Sequence, residues 1–298
     1  MTVFLDRQRL EAALRVACEC STLPISADRL PAHPARKTAP KLYLFDAIAS
    51  TNRTLWELID QHSLPEGSLV LARQQHNGKG QWGRQWLSPP GGLYLSTVLY
   101  PNLPLEFSAH LTLCTAWGIA KALREIPGCL SGTTNKIAVG LKWLNDLVLN
   151  GRKLGGILTE TRIQRDLTEL SSAPRITKAV VGVGINWRNP VPEPGINLQS
   201  VLQEQPVPLI ESLEMLAAIV TIGVLSGYQH WQQVGIGSLL PEYEALLINM
   251  GQSVKIADRL GTITGVSATG ALRVQFPPQP NQVDEIFIKP GAISLEYG

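Results

Sequence analysis

Residues 142–160 read KWLNDLVLNGRKLGGILTE. Apolar residues gather on both sides of Asn150-Gly151, a dipeptide that suits a two-residue hairpin turn because both positions tolerate positive φ. The stretch therefore reads as strand, turn, strand. Strand alternation puts Lys142, Leu144 and Asp146 on one face and Trp143, Asn145 and Leu147 on the other. Two lysines, Lys142 and Lys153, then flank a carboxylate beside a tight turn. A solvated surface hairpin would share those features. Gly155-Gly156 argues against it, since paired glycines in an apolar strand mark close approach by backbone or ligand.

Working outward, residues 75–91 form a polar loop, QHNGKGQWGRQWLSPPG. Gly78, Gly80 and Gly83 bare backbone N–H groups, and Lys79 and Arg84 can neutralise an anion, so phosphate or carboxylate binding is the chemistry to expect. The spacing fits neither a Walker loop nor a Rossmann turn. A simple glycine-rich surface hairpin is the competing reading. Trp82 and Trp86 count against it, because indoles favour burial or a stacking partner.

Around these two segments the chain alternates strand and helix patterns. LYLFDAI, GSLVLARQQ, LYLSTVLYP and AVVGVGINW read as strands, and the last delivers Asn186 into the proline-rich loop RNPVPEPGINL. TLWELIDQH and AHLTLCTAWGIAKALREI carry helical spacing, the first preceded by the N-cap residue types Ser50, Thr51 and Asn52. Residues 207–234 read as one long helix and 239–249 as a shorter one. From Met250 onward short β runs are broken by glycine every few residues, the pattern of a small antiparallel barrel. The expected division is an N-terminal helix and proline-rich arm at 1–40, a main domain at 41–249 and the barrel at 250–298.

Bulk properties narrow the function classes. The 26 basic and 24 acidic side chains leave a net charge of +2, so no global field draws the chain to nucleic acid or to membrane, and phosphate binding must be local. Cys18, Cys20, Cys114 and Cys129 form no metal-like spacing with the five histidines, and read as free thiols in a reducing cytosol. The N-terminus mixes acids with apolar residues like an amphipathic helix rather than a signal peptide. MLAAIVTIGVLSGY at 215–228 is too short to span a bilayer and reads as a buried helix.

Together, STN at 50–52, GKGQWGRQWLSPPGGLYLS at 78–96, KWLNDLVLNGRKLGGILTE and GVGINW at 182–187 resemble the successive motifs of biotin–protein ligases. The resemblance covers residues 41–298. It implies an α+β fold, with a mixed-sheet catalytic domain of the biotin/lipoate ligase kind and a small C-terminal SH3-like β barrel. It also implies ATP-dependent ligation of biotin, through biotinyl-5′-AMP, to a lysine of the biotin carboxyl carrier protein of acetyl-CoA carboxylase. Biotin, ATP and Mg²⁺ are the small molecules implied, the metal arriving with ATP rather than in a protein cage. The enzyme is expected to be cytoplasmic, a monomer or homodimer, with neither nucleic acid nor membrane as partner.

Residue by residue, the resemblance places Ser50, Thr51, Asn52 and Gln75, with Lys79, Gly80 and Gln81, around biotin. Lys153, Gly155 and Gly156 complete the biotin site, Lys153 reaching the biotin carboxyl and then its acyl phosphate. Gly78, Arg84, Trp86, Lys142, Asn145, Asp146 and Asn186 fall to the nucleotide, and Lys79, Arg84, Lys142, Asp146 and Lys153 to catalysis. Residues 187–197 match a lid. The tryptophans of the glycine loop would then supply apolar area that buries as the loop closes over a hydrolysable intermediate.

Two departures stand out. Many relatives read G-R-G-R-x-G-R where this chain has GKGQWGR, so Gln81 replaces a charged residue, and weaker retention of the intermediate is expected unless Arg73 or Arg84 compensates. Leu144 replaces the proline of K-W-P-N-D, which should free the backbone there. The competing functions are a biotin-responsive DNA-binding repressor and a lipoyl or octanoyl transferase. Residues 1–40 show no helix–turn–helix pattern.

Overall fold

The computed structural model describes residues 5–23, 25, 30, 39–132, 136–164, 173–203, 210–279 and 283–297. Much of the proline-rich arm expected within 1–40, and part of the start of the helix expected from 207, lie outside these residues. In chain order the elements are α1 (Arg7–Glu19), β1 (Leu42–Ile48), α2 (Thr51–Gln61), β2 (Leu69–Gln75), β3 (Leu93–Leu99), β4 (Leu103–Pro104) and α3 (Ala109–Ser131). Then come β5 (Gly140–Lys142), β6 (Asp146–Leu149), β7 (Arg152–Gln164), β8 (Arg175–Ile185), α4 (Leu198–Leu202) and α5 (Leu213–Glu244). The last four are β9 (Ser253–Ile256), β10 (Arg259–Val266), β11 (Leu272–Gln275) and β12 (Glu285–Ile288).

The first sheet runs β1-β2-β3-β8-β7-β6-β5, with β4 on the end of β8. It is mixed, because β1 lies parallel to β2 while the other pairings are antiparallel. Helices α3 and α5 cover one face over a core that includes Leu71, Leu95, Trp117 and Val181. Helix α2 covers part of the other, over Val70, Val98 and Val180. Strand β3 is buried along its whole length, despite its alternating sequence, because it lies mid-sheet between these layers. The C-terminal residues form a second, antiparallel sheet in the order β12-β11-β10-β9.

Helix α1 follows from its sequence. Leu10, Ala13, Leu14 and Ala17 recur at helical spacing and are buried, and the Asp6 side chain caps the first turn by accepting from Arg9 N–H. The helix packs on α5, where the Asp6 N–H donates to Glu214. Its far end is tied down as well: Cys20 and Cys129 are joined in a disulfide across Cα atoms 5.8 Å apart. That corrects the expectation of four free thiols, because helix packing brings together two cysteines far apart in sequence. Cys18 and Cys114 are free.

Two other expectations change. The 207–234 and 239–249 helices merge into α5, broken at Gly235, whose φ of 73° and ψ of 173° interrupt the helical path. The run 142–147 is no continuous strand: Trp143–Asn145 turn between β5 and β6. Lys142 and Asp146 do face each other, but as cross-strand partners in that hairpin rather than by alternation along one strand. The second turn falls at Asn150 and Gly151 as expected, both at positive φ.

Candidate active site

The sheet, the glycine loop, the proline-rich loop and the C-terminal tail enclose a cleft of about 570 Å³, a size suited to a small-molecule site. One end is polar. Ser50 is the N-cap residue of α2, yet its side chain does not cap the helix; Gln75 Oε1 instead accepts from the Thr51 N–H at 2.8 Å. Gln75 Nε2 donates to Ser88 Oγ at 2.8 Å, which locks the amide's orientation. Behind them, Ser96 Oγ lies 2.7 Å from Thr51 Oγ1 and 2.6 Å from Asn52 Oδ1, while Asn52 Nδ2 donates to Glu160 at 2.9 Å. Residue 182 must be glycine for this network to form, since a Cβ there would meet Asn52 Oδ1 at 2.2 Å.

The other end is cationic. Asp146 Oδ1 accepts from Lys153 Nζ at 2.8 Å, and Asp146 Oδ2 accepts from the Tyr297 hydroxyl. Lys142 Nζ stands 3.9 Å from Asp146 Oδ2, beyond hydrogen-bond reach, and 3.6 Å from the Tyr297 ring centroid. Burial pulls the Lys142 pKa below the ordinary lysine value, aided by the positive charges of Lys153 and Arg84 and opposed by Asp146. The cluster thus carries one carboxylate against two close lysines, which leaves positive charge for an anionic ligand. The β5–β6 turn behind it is firmly held: Tyr243 donates its hydroxyl to Leu144 C=O at 2.9 Å, and Trp143 Nε1 donates to Gly270 C=O at 3.0 Å. Leu144 therefore does not free the backbone as expected.

The glycine loop folds as a small flap. Trp86 N–H donates to Gly78 C=O at 2.9 Å and Gly80 N–H to Arg84 C=O at 2.7 Å, so the Gly80 amide is spent within the flap rather than bared for an anion. At its tip Trp82 adopts positive φ and is 65% exposed, packed against Gly291 of the C-terminal tail. Trp86 turns inward. Its ring lies over β7 and β8, where a Cβ on Gly184 would meet Nε1 at 2.5 Å, and Lys153 Nζ stands 5.5 Å from its centroid. The buried Nε1 finds no hydrogen-bond partner among the described residues, which leaves a donor for a ligand.

The proline-rich loop is laced to β7 at Lys153, whose N–H donates to Pro194 C=O at 3.0 Å and whose C=O accepts from Ile196 N–H at 2.9 Å. Asn186 serves this loop too: Nδ2 donates to Lys153 C=O at 3.4 Å and Oδ1 accepts from Asn189 Nδ2 at 3.1 Å. Asn145 Nδ2 donates to Ile157 C=O at 3.0 Å, pinning the turn to β7.

Of the residues expected from the sequence, Ser50, Thr51, Asn52, Gln75, Lys79, Gly80, Gln81, Arg84, Trp86, Lys142, Asn145, Asp146, Lys153, Gly156 and Asn186 all line the cleft. Gly78 and Gly155 do not. Gly78 packs under Trp86 and Ser88, and Gly155 backs onto the β8 carbonyl of Gly184.

Residues 44–176 match the biotin/lipoate A/B protein ligase family. The bifunctional ligase/repressor BirA of Bacillus subtilis is 35% identical over 49% of this chain, which spans about 40% of that relative's length. The BirA of Escherichia coli K12 is 31% identical over 76% of this chain and 67% of its own. The chain belongs to the biotin protein ligase family. Within it, the biotin–[acetyl-CoA-carboxylase] ligase of Paracoccus denitrificans is 27% identical over 70% of this chain and 84% of its own. A solved biotin protein ligase from Aquifex aeolicus shares the fold, with a TM-score of 0.60 at 21% identity, covering 86% of this chain and 99% of its own.

In this chain, sequence reasoning missed Ser96, Glu160, Asn189 and Tyr297. Ser96 left a signal, a hydroxyl in the middle of an apolar strand, since a buried polar group requires a partner. Tyr297 left none, because only the docking of the C-terminal sheet brings it to Asp146.

Proposed function

We propose that this chain activates biotin with ATP and transfers it to a lysine of a biotin carboxyl carrier protein. The observation that carries this reading is one cleft with a neutral hydrogen-bonding end and a lysine-rich end, covered by a tryptophan flap. Ser50, Thr51 and Gln75 offer donors and acceptors to a uncharged bicyclic urea, and Asn52 is held in place behind them by Ser96 and Glu160. The apolar Trp86 face receives the ring and chain. Lys153, fixed on a rigid strand and paired with Asp146, meets the carboxylate at the chain's end.

The biotin carboxylate attacks the α-phosphorus of ATP, the bond to pyrophosphate breaks, and a mixed anhydride with AMP forms. Two anions must meet for this to happen, so positioning and charge neutralisation dominate the catalysis. Lys153 and Lys142 supply fixed positive charge at the reacting end, and Lys79 and Arg84 supply it from the flap. Magnesium, accompanying ATP, would neutralise phosphate oxygens. Among the described residues no cluster of three or more histidines, cysteines or carboxylates could hold a metal. In the second step an acceptor lysine amine attacks the acyl carbon, AMP leaves, and an amide forms. Until then the flap shields the anhydride from water.

The units at 41–249 and 250–298 cooperate in this reading, since Pro290–Leu295 form one wall of the cleft. Incubating the chain and ATP with an apo-carrier domain, and with biotin or lipoate in parallel, tests it. Mass gain equal to one biotinyl group, biotin less one water, with none from lipoate, is expected; modification by lipoate alone would overturn it.

A further inference from the structure

The C-terminal tail reaches further into the cleft than wall-building requires. Beyond β12 it passes under Trp82 at Gly291, buries Leu295 and is held at Glu296, whose C=O accepts from Asn249 Nδ2 at 3.4 Å. Tyr297 is thereby delivered to the middle of the charged cluster. Its hydroxyl occupies one oxygen of Asp146 while Lys153 occupies the other, and its ring face receives the Lys142 ammonium. Without that hydroxyl, Asp146 Oδ2 is open to Lys142, which needs to close about 1 Å to make an ordinary charge-assisted hydrogen bond.

Resting on the reading above, we propose that Tyr297 is a positioning residue: by holding Asp146 Oδ2 and the Lys142 ammonium apart, it commits Asp146 to Lys153 and leaves Lys142 available to the phosphates of ATP. A carboxylate that also bonds Lys142 would hold that ammonium in place and raise the cost of drawing it toward the nucleotide. The other charged or titratable groups facing this cluster are Arg84 from the flap and Tyr243 from α5. Lys142 already sits below its ordinary pKa through burial, so a closer carboxylate moves it upward.

Tyr297→Phe keeps the ring and removes the hydroxyl. In biotin-dependent pyrophosphate release, this variant raises KM for ATP about tenfold, the scale set by one charge-assisted hydrogen bond, and moves KM for biotin by less than about twofold. Competitive acetylation of Lys142 across pH, read by mass spectrometry, shows its labelling midpoint rising in Tyr297→Phe. In an Asp146→Asn background, adding Tyr297→Phe no longer shifts either quantity. Unchanged Lys142 labelling in Tyr297→Phe overturns the proposal. So does a parallel loss in kcat and both KM values with a lowered Tm, which is the mark of packing alone. If the wild type releases no pyrophosphate, the biotin-activation reading fails, while the labelling comparison still decides the role of Tyr297.

Discussion

The indole of Trp86 fills the space that glycine leaves at position 184: a Cβ there would lie 2.5 Å from Nε1 and 2.6 Å from Cε2. The flap can close inward only because β8 is bare at that point. Gly184→Ala should therefore expel Trp86, shift its fluorescence to the red and slow adenylate formation on the order of tenfold to a hundredfold, the scale of one buried indole. Fluorescence and pyrophosphate release check both effects together. An alanine variant with wild-type emission and rate would contradict this fit.

Ser96→Ala strips the buried Asn52 Oδ1 of its hydroxyl partner. An unsatisfied buried acceptor costs about 1–3 kcal/mol, so urea unfolding should show a loss of that size. KM for biotin should rise as well, because Thr51 and Asn52 lose their common anchor. A change in neither quantity would remove this network from the biotin end.

Gln81 lines the cleft and donates to Ile157 C=O at 3.4 Å, a long and uncharged contact. An arginine at this position adds a charge facing an anionic intermediate. Gln81→Arg is expected to slow dissociation of biotinyl-5′-AMP about tenfold, measured by stopped-flow chase. Equal rates would show that Arg84 or another cation already supplies the contact.

His110 links α3 to the C-terminal sheet through a 2.6 Å contact to Ala268 C=O, stacked on Phe107 and edge-on to Trp231. Burial lowers its pKa below 6.5, partly offset by that hydrogen bond. The unfolded chain therefore binds a proton at a higher pH than the folded one does, and stability rises with pH across the window between the two pKa values. Acidifying below about pH 6.5 should cost up to about 1.4 kcal/mol per pH unit within that window. His110→Gln should flatten this dependence in urea titrations run at several pH values. An unchanged slope would assign it to other groups.

Much of this was legible in the sequence, for reasons that differ by residue. Ser50–Asn52, Gln75 and the lysines lie in short local patterns, and local patterns survive folding. Strand β3 and the Asn150-Gly151 turn were readable from period and from turn chemistry. The Trp143–Asn145 turn was hidden because its apolar residues mimic a continuing strand; Tyr243 and Gly270, both distant in sequence, hold it. The Cys20–Cys129 bond and the Tyr297–Asp146 contact were hidden for the same reason. Each joins residues more than a hundred positions apart, and only helix packing or the docking of the C-terminal sheet brings them together.

The central claim is that a carboxylate is joined to AMP in this cleft, and the reverse of that step is directly observable. Purified chain should exchange labelled pyrophosphate into ATP when biotin is present, and lose that exchange on Lys153→Ala. Exchange no greater than a protein-free blank, with folded wild-type chain and saturating biotin, would contradict it.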